Sequence, residues 1–181
     1  MMYSSIASKY ALALYNVSKI NQKTDEYKER LNVFVNIYNE LSVFLNNQAI
    51  KPVKRSQLVC DIMSELGFKP DEVFGRFVYL LISNKRMKYI KQIATLFDYA
   101  ILEENGLVPV EVISATDLND EEKSALTEFV RKYTSKTPVF SVKVDEGIIA
   151  GVVVEFYGKR YDASIKGRLE KLARDVLRRE G

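Results

Sequence analysis

The chain has no histidine and no tryptophan, a single cysteine, and only four prolines in 181 residues. Histidine is the side chain whose charge changes near neutral pH, and it is the commonest metal ligand. Its absence excludes Ser-His and Cys-His triads, and with one cysteine it removes most zinc sites and histidine-held iron. A lone Cys60 also excludes an internal disulfide and suits a reducing compartment. Carboxylate chemistry survives this subtraction but has no motif behind it. Glu103-Glu104 and Glu121-Glu122 are adjacent in sequence, so on a helix each pair diverges by about 100° and cannot share a proton. No run approaches the roughly 18 apolar residues that a membrane span needs, so no direct membrane insertion is expected. The start, Met1-Met2-Tyr3-Ser4-Ser5, has no basic stretch ahead of an apolar one, and the first arginine is Arg30. Neither a secretory nor a mitochondrial leader is therefore expected, and the chain reads as cytosolic, with no cofactor and no metal.

What is present suits a protein that builds a core: 47% of residues are hydrophobic and 28% charged, with a net charge of +3. The charge is uneven. Residues 107–158 hold five Lys/Arg against nine Asp/Glu, and residues 159–181 hold eight against four. A basic terminal helix invites a nucleic-acid reading, but such binders interleave cations with exposed aromatics, and here the two are separated. The blander reading is a solvated helix face.

From Ser4 to Gly106 the periodic segments all read as helix. Ser4 or Ser5 caps the first. Thr24 opens a long second helix with Tyr27, Leu31, Phe34, Val35, Tyr38 and Leu41 on one face. The piece at Leu41–Leu45 is either its continuation or a separate third helix. Pro52 starts another, with Leu58, Ile62 and Leu66 sharing a face and Gly67 as the left-handed stop. Pro70 starts a fifth through Val73, Phe74, Phe77, Leu80 and Leu81, which Asn84-Lys85-Arg86 breaks. Met87 to Glu104 forms the sixth. After Gly106 the grammar changes. Val108–Ser114 alternates as a strand, and Asn119 with Glu122 forms a capping box for a helix to Tyr133. A boundary near residue 106 thus separates a helical region, 1–106, from a mixed region, 107–181, ordered strand-helix-strand-strand-helix. The fold class expected is α+β, a six-helix bundle followed by a small α/β domain.

Two places stand apart from plain core building. The first helix is apolar over two arcs: Ala7, Ala11, Leu14 and Tyr15 on one, Ile6, Tyr10, Ala13 and Val17 on the other. It is either a central helix touched by several neighbours, or one arc packs inward while the other forms half of a groove for a partner helix. The connection Gly147-Ile148-Ile149-Ala150 is apolar for an exposed turn, and either folds under the sheet or faces a partner. Two tempting motifs fail. Gly158-Lys159-Arg160 lacks the upstream glycine and following Ser/Thr of a phosphate loop. Cys60, beside Val59 and near Met63, reads as a small apolar residue rather than a reactive thiol.

Around that connection lies the most specific stretch: Phe140, Val142 and Val144 alternate as a strand, then come Val144-Asp145-Glu146-Gly147-Ile148-Ile149-Ala150-Gly151-Val152-Val153-Val154 and Tyr161-Asp162-Ala163-Ser164-Ile165-Lys166-Gly167-Arg168-Leu169. The segment through Phe156 reads as the partner strand, and Asp162 or Ser164 caps a final helix. The segment resembles the C-terminal signature of the delta subunits of F-type ATP synthases, relatives of the mitochondrial oligomycin-sensitivity-conferring protein. Tyr10-Ala11 with Ala13-Leu14-Tyr15, Asn84-Lys85-Arg86 and Val112-Ile113-Ser114-Ala115 match as well. Glu146, Ala150 and Ala163 depart from the family pattern. The resemblance implies a non-catalytic stator subunit, present as a single copy, that links the F1 alpha-beta hexamer to the b subunits of the peripheral stalk. The resemblance further implies a place at the cytoplasmic face of a bacterial membrane. It also implies a groove between the first and fifth helices that receives the N-terminal helix of an F1 alpha subunit. Ile6, Tyr10, Ala13, Val17, Phe77, Leu80 and Leu81 are the candidate walls. The second domain is implied to engage the b subunits, with Ile148, Ile149 and Gly151 as candidates. The alternative function is a basic helical regulator that binds nucleic acid.

Overall fold

In the computed structural model, which describes residues 3–145, 147, 148 and 150–163, helix stops and caps fall where the sequence chemistry places them. Ser4 caps α1 (Ser5–Ile20), its side chain accepting from the Ile6 amide. Pro52 occupies the first turn of α3 (Pro52–Glu65), where its missing amide costs nothing, and Gly67 follows at φ 91. Asp71 caps α4 (Glu72–Ser83) by accepting from the Phe74 amide at 2.8 Å. A 3₁₀ turn, Met87–Tyr89, leads into α5 (Ile90–Glu104), and Gly106 at φ 70 ends the helical run.

Contacts divide the chain into two compact units, Tyr3–Ile101 and Leu102 onward, with the division inside the last turn of α5. In the first unit, α2 (Thr24–Asn46) is broken by a kink: Leu41 leaves helical geometry (φ −110, ψ 22), so the piece at Leu41–Leu45 is a short helical segment that follows α2's main run across that kink. One core joins all five helices, with Tyr27, Leu31, Phe34, Leu45, Val59, Phe74, Leu81, Ile93 and Phe97 fully buried. Each such side chain contributes roughly 1.5–3 kcal/mol of burial. The inward face of α3 is one residue away from the expected Leu58, Ile62 and Leu66. Val59 and Met63 are buried instead, and Leu66 is 61% exposed. The rotation packs α3 against α4 and lets the buried Arg55 donate to the Leu45 carbonyl at 2.7 Å, capping the end of α2.

The second unit holds a mixed sheet of four strands among the described residues, in the order β2-β1-β3-β4. β1 (Leu107–Ser114) runs parallel to β2 (Thr137–Val144) after a crossover through α6 (Asp120–Thr134). α6 carries the expected capping box, Asn119 and Glu122 each bonding the other's backbone amide. Alternate β1 residues, Val108, Val110 and Val112, pack with Leu126, Phe129 and Val130 of α6.

Two readings of the sequence need correction. β3 (Val152–Phe156) pairs antiparallel with β1, not with β2. Ser114 lies opposite Val144 on one side and opposite Val152 on the other, so the connection rounds the end of β1 to reach its free edge. The stretch after Phe156 is a further strand, β4 (Lys159–Asp162), reached through a two-residue turn with Tyr157 at φ 50 and Gly158 at φ 71. Two consecutive positive φ values define a hairpin turn matched to strand twist. The expected final helix, with its candidate cap Ser164, lies outside the described residues, and the other candidate cap, Asp162, is the last residue of β4.

Candidate functional site

Burial separates the two arcs of α1. Ala7, Ala11, Leu14 and Tyr15 are buried in the bundle core, whereas Ile6, Tyr10 and Val17 are half-buried and Ala13 is exposed. The second arc therefore keeps apolar surface that its own unit does not cover. Facing it from α4 is Phe77, whose ring meets the Tyr10 ring edge-on at 6.2 Å. Phe77 is 8% exposed and Leu80 is 43% exposed. Leu81, expected on the same wall, is 0% exposed and belongs to the core, since a helix turns about 100° between neighbouring residues. Sequence reasoning did not count Val73 as a wall residue; it is 40% exposed and lies one turn before Phe77 on α4.

It also read Asn84-Lys85-Arg86 as a helix break and as a piece matching the delta-subunit pattern, and assigned it no contact. Asn84 Nδ2 donates to the Tyr10 hydroxyl oxygen at 3.1 Å and Arg86 Nη1 donates to the same oxygen at 3.0 Å. The Arg86 guanidinium also lies over the Tyr10 ring, 5.4 Å from its centroid. The signal that could have found them was the pairing of two polar residues just past α4 with a tyrosine on the opposing arc.

Polar chemistry in the same unit is structural. A cleft of about 780 Å³ between α3 and α4 is lined by Arg30, Cys60, Asp71, Gly75 and Tyr79 among others. Asp71 there accepts from Lys23 Nζ at 2.8 Å and from the Tyr27 hydroxyl at 3.0 Å, besides the Phe74 amide. Burial alone would raise its carboxyl pKa, but the hydrogen bonds from Lys23, the Phe74 amide and Tyr27 hold it below the ordinary value. Burial, followed by the Asp71 hydrogen bond, pushes Tyr27 up to about 12. Arg30 is buried between Phe68 and Phe74 and donates to Glu26 and to the Lys69 carbonyl. Burial raises the Cys60 thiol pKa, which makes the side chain a poor nucleophile. Among the described residues no three His, Cys, Asp or Glu side chains gather as metal ligands, and no helix is long and apolar enough to cross a membrane.

In the second unit, the turn after β2 is built on Asp145, which accepts the Gly147 amide on Oδ1 at 2.8 Å and the Ile148 amide on its carbonyl at 3.0 Å. Ile148 is half-buried, Gly151 takes φ 92, and Ile149 lies outside the described residues. Gly158-Lys159-Arg160 is part of the β3–β4 hairpin, and Arg160 pairs with Glu155 at 2.9 Å, so the segment cradles no phosphate.

Half-exposed apolar arcs held by hydrogen bonds, beside carboxylates already engaged by neighbours, make a surface for another chain rather than a reaction centre. The class is a non-catalytic subunit of a larger assembly. The chain belongs to the ATP synthase delta (OSCP) subunit family, whose model matches residues 6–176. It is 60% identical over 181 residues to the ATP synthase subunit delta of Fervidobacterium nodosum, covering 100% of both chains. It is 40% identical to that of Thermosipho africanus, covering 98% of this chain and 97% of the relative. At 16% identity, it shares the fold of a chain in the mitochondrial ATP synthase hexamer of Toxoplasma gondii, with a TM-score of 0.64 over 96% of this chain and 98% of that one. It is thus a non-catalytic peripheral-stalk component of an F-type ATP synthase, a peripheral member of a membrane complex, and the nucleic-acid alternative finds no support.

Proposed function

We propose that the helical unit docks the N-terminal helix of an F1 alpha subunit along the α1–α4 groove, while the unit beginning at Leu102 grips the b subunits. A single copy at the cytoplasmic face of the membrane would then tie the hexamer to the stalk and resist the torque of the rotor. The observation that carries this reading is the uncovered arc Ile6–Tyr10–Ala13–Val17 facing Phe77 and Leu80 across the Tyr10–Phe77 contact. Exposed Ala13 leaves room for a close backbone approach, and the half-buried side chains beside it already have part of their water stripped away. A stator joint needs slow dissociation more than fast encounter, which apolar groove packing supplies. For the second unit, the apolar turn at Ile148 and Gly151 remains the candidate stalk contact. Calorimetric titration of the full chain with a peptide copying the alpha-subunit N-terminus tests the groove. Saturable 1:1 binding with a negative heat-capacity change is expected, because apolar surface leaves water. Absence of binding would overturn the assignment.

A further inference from the structure

We propose that Asn84 and Arg86 are positioning residues for partner recognition: they lock Tyr10 so that its hydroxyl proton is presented to a segment docked in the groove. This rests on reading the α1–α4 groove as the docking site. A tyrosine hydroxyl has two acceptor lone pairs and one donor hydrogen. Asn84 Nδ2 at 3.1 Å and Arg86 Nη1 at 3.0 Å engage the oxygen as acceptor. The hydrogen then has no acceptor among the described residues, and it is left to donate to a carbonyl or carboxylate of the incoming chain.

The lock is built into the backbone. Asn84 ends α4, its amide returning to the Leu80 carbonyl, and Lys85 takes φ 57, a left-handed conformation uncommon outside glycine. That single residue reverses the chain and brings Arg86 back over the helix end, where its own amide donates to the Leu81 carbonyl at 2.8 Å. Arg86 pairs with no carboxylate among the described residues; its guanidinium serves the Tyr10 hydroxyl and lies over the Tyr10 ring. The same ring also meets the Phe77 ring edge-on. A side chain fixed before docking spares the complex the cost of ordering it.

The test is a double-mutant cycle on the full chain, with the alpha N-terminal peptide as probe. Tyr10→Phe keeps the ring and removes the hydroxyl; Arg86→Ala and Asn84→Ala remove its donors. Each is expected to weaken the peptide by about three- to tenfold with little change in melting temperature. Combining Tyr10→Phe with Arg86→Ala should cost far less than the product of the single losses, since Arg86 acts through the Tyr10 hydroxyl and only its contact over the ring outlasts the first substitution. Losses that multiply in the double variant would show Arg86 touching the partner itself and would overturn the positioning role. Single variants that bind like wild type would overturn it too. A wild-type chain that fails to bind the peptide would instead defeat the groove reading on which it rests.

Discussion

Replacing Ala13 by Asp separates the two faces of α1 in one experiment. Ala13 is exposed in the free chain, so the new carboxylate stays in water and loses only helix propensity, about 0.5–0.7 kcal/mol. For a unit of this size that lowers Tm by roughly 2–5 °C. Docking a helix along Ile6, Tyr10, Ala13 and Val17 would bury the charge without a partner, costing on the order of 3–5 kcal/mol. Since about 1.4 kcal/mol is tenfold, affinity for the alpha-subunit peptide should fall by two decades or more. The matched control is Ala11→Asp, one arc away and 2% exposed. There the charge is buried in the monomer, and the helical unit should be strongly destabilised before any peptide is added. Thermal melts by circular dichroism and titration calorimetry on both variants give the comparison. An Ala13→Asp chain that melts and binds like wild type would refute the assignment of this arc. One that melts as low as Ala11→Asp would refute the burial argument itself.

Asp71, with its pKa depressed in the fold, stabilises above the unfolded carboxylate value of about 3.9, and that contribution is lost as pH falls through the folded pKa. The stability gap between wild type and Asp71→Asn in urea melts should therefore be largest near neutral pH and close in acid; a gap that widens in acid would be contrary to the sign. Tyr27, raised from 10.0 to about 12, acts at the other end, and stability should decline as pH rises through that window, an effect absent from Tyr27→Phe. Cys60 should react with a thiol-directed chromogenic reagent more slowly than free cysteine at pH 8 and reach that rate once unfolded, because burial raises its pKa; equal rates in the folded chain would contradict this. Gly158→Ala meets no atom within 4 Å, so its cost is the positive φ alone, about 1 kcal/mol in chemical denaturation of the strand-bearing unit.

How much of this was legible in the sequence depended on the range of the forces involved. Caps and stops are local, so Ser4, Pro52, Pro70 and the Asn119–Glu122 box marked helix starts within two residues of where they lie. The β1 alternation was equally clear, because a period of two needs only one strand to be visible. Strand partners were not. Placing β3 beside β1 depends on the parallel return of β2, a contact across some thirty residues that no local pattern encodes. β4 escaped because Lys159-Arg160-Tyr161-Asp162 is polar, as an edge strand can be, and Tyr157 gave no warning of its positive φ. At the groove, the second apolar arc of α1 was visible as an excess of apolar residues. Which arc faced inward, the loss of Leu81 to the core, and the reach of Asn84 and Arg86 to Tyr10 required α1 and α4 side by side.

Under the proposed function, one chain holds the F1 hexamer and the stalk at the same time. The direct measurement is mass photometry of F1 stripped of this subunit, mixed with the soluble part of the b subunits, with and without the chain. A ternary assembly is expected that forms only when the chain is present and that the Ala13→Asp chain fails to form although it still binds b. An assembly of F1 with b that forms equally without the chain would contradict it, as would a chain that binds F1 and b only in competition with each other.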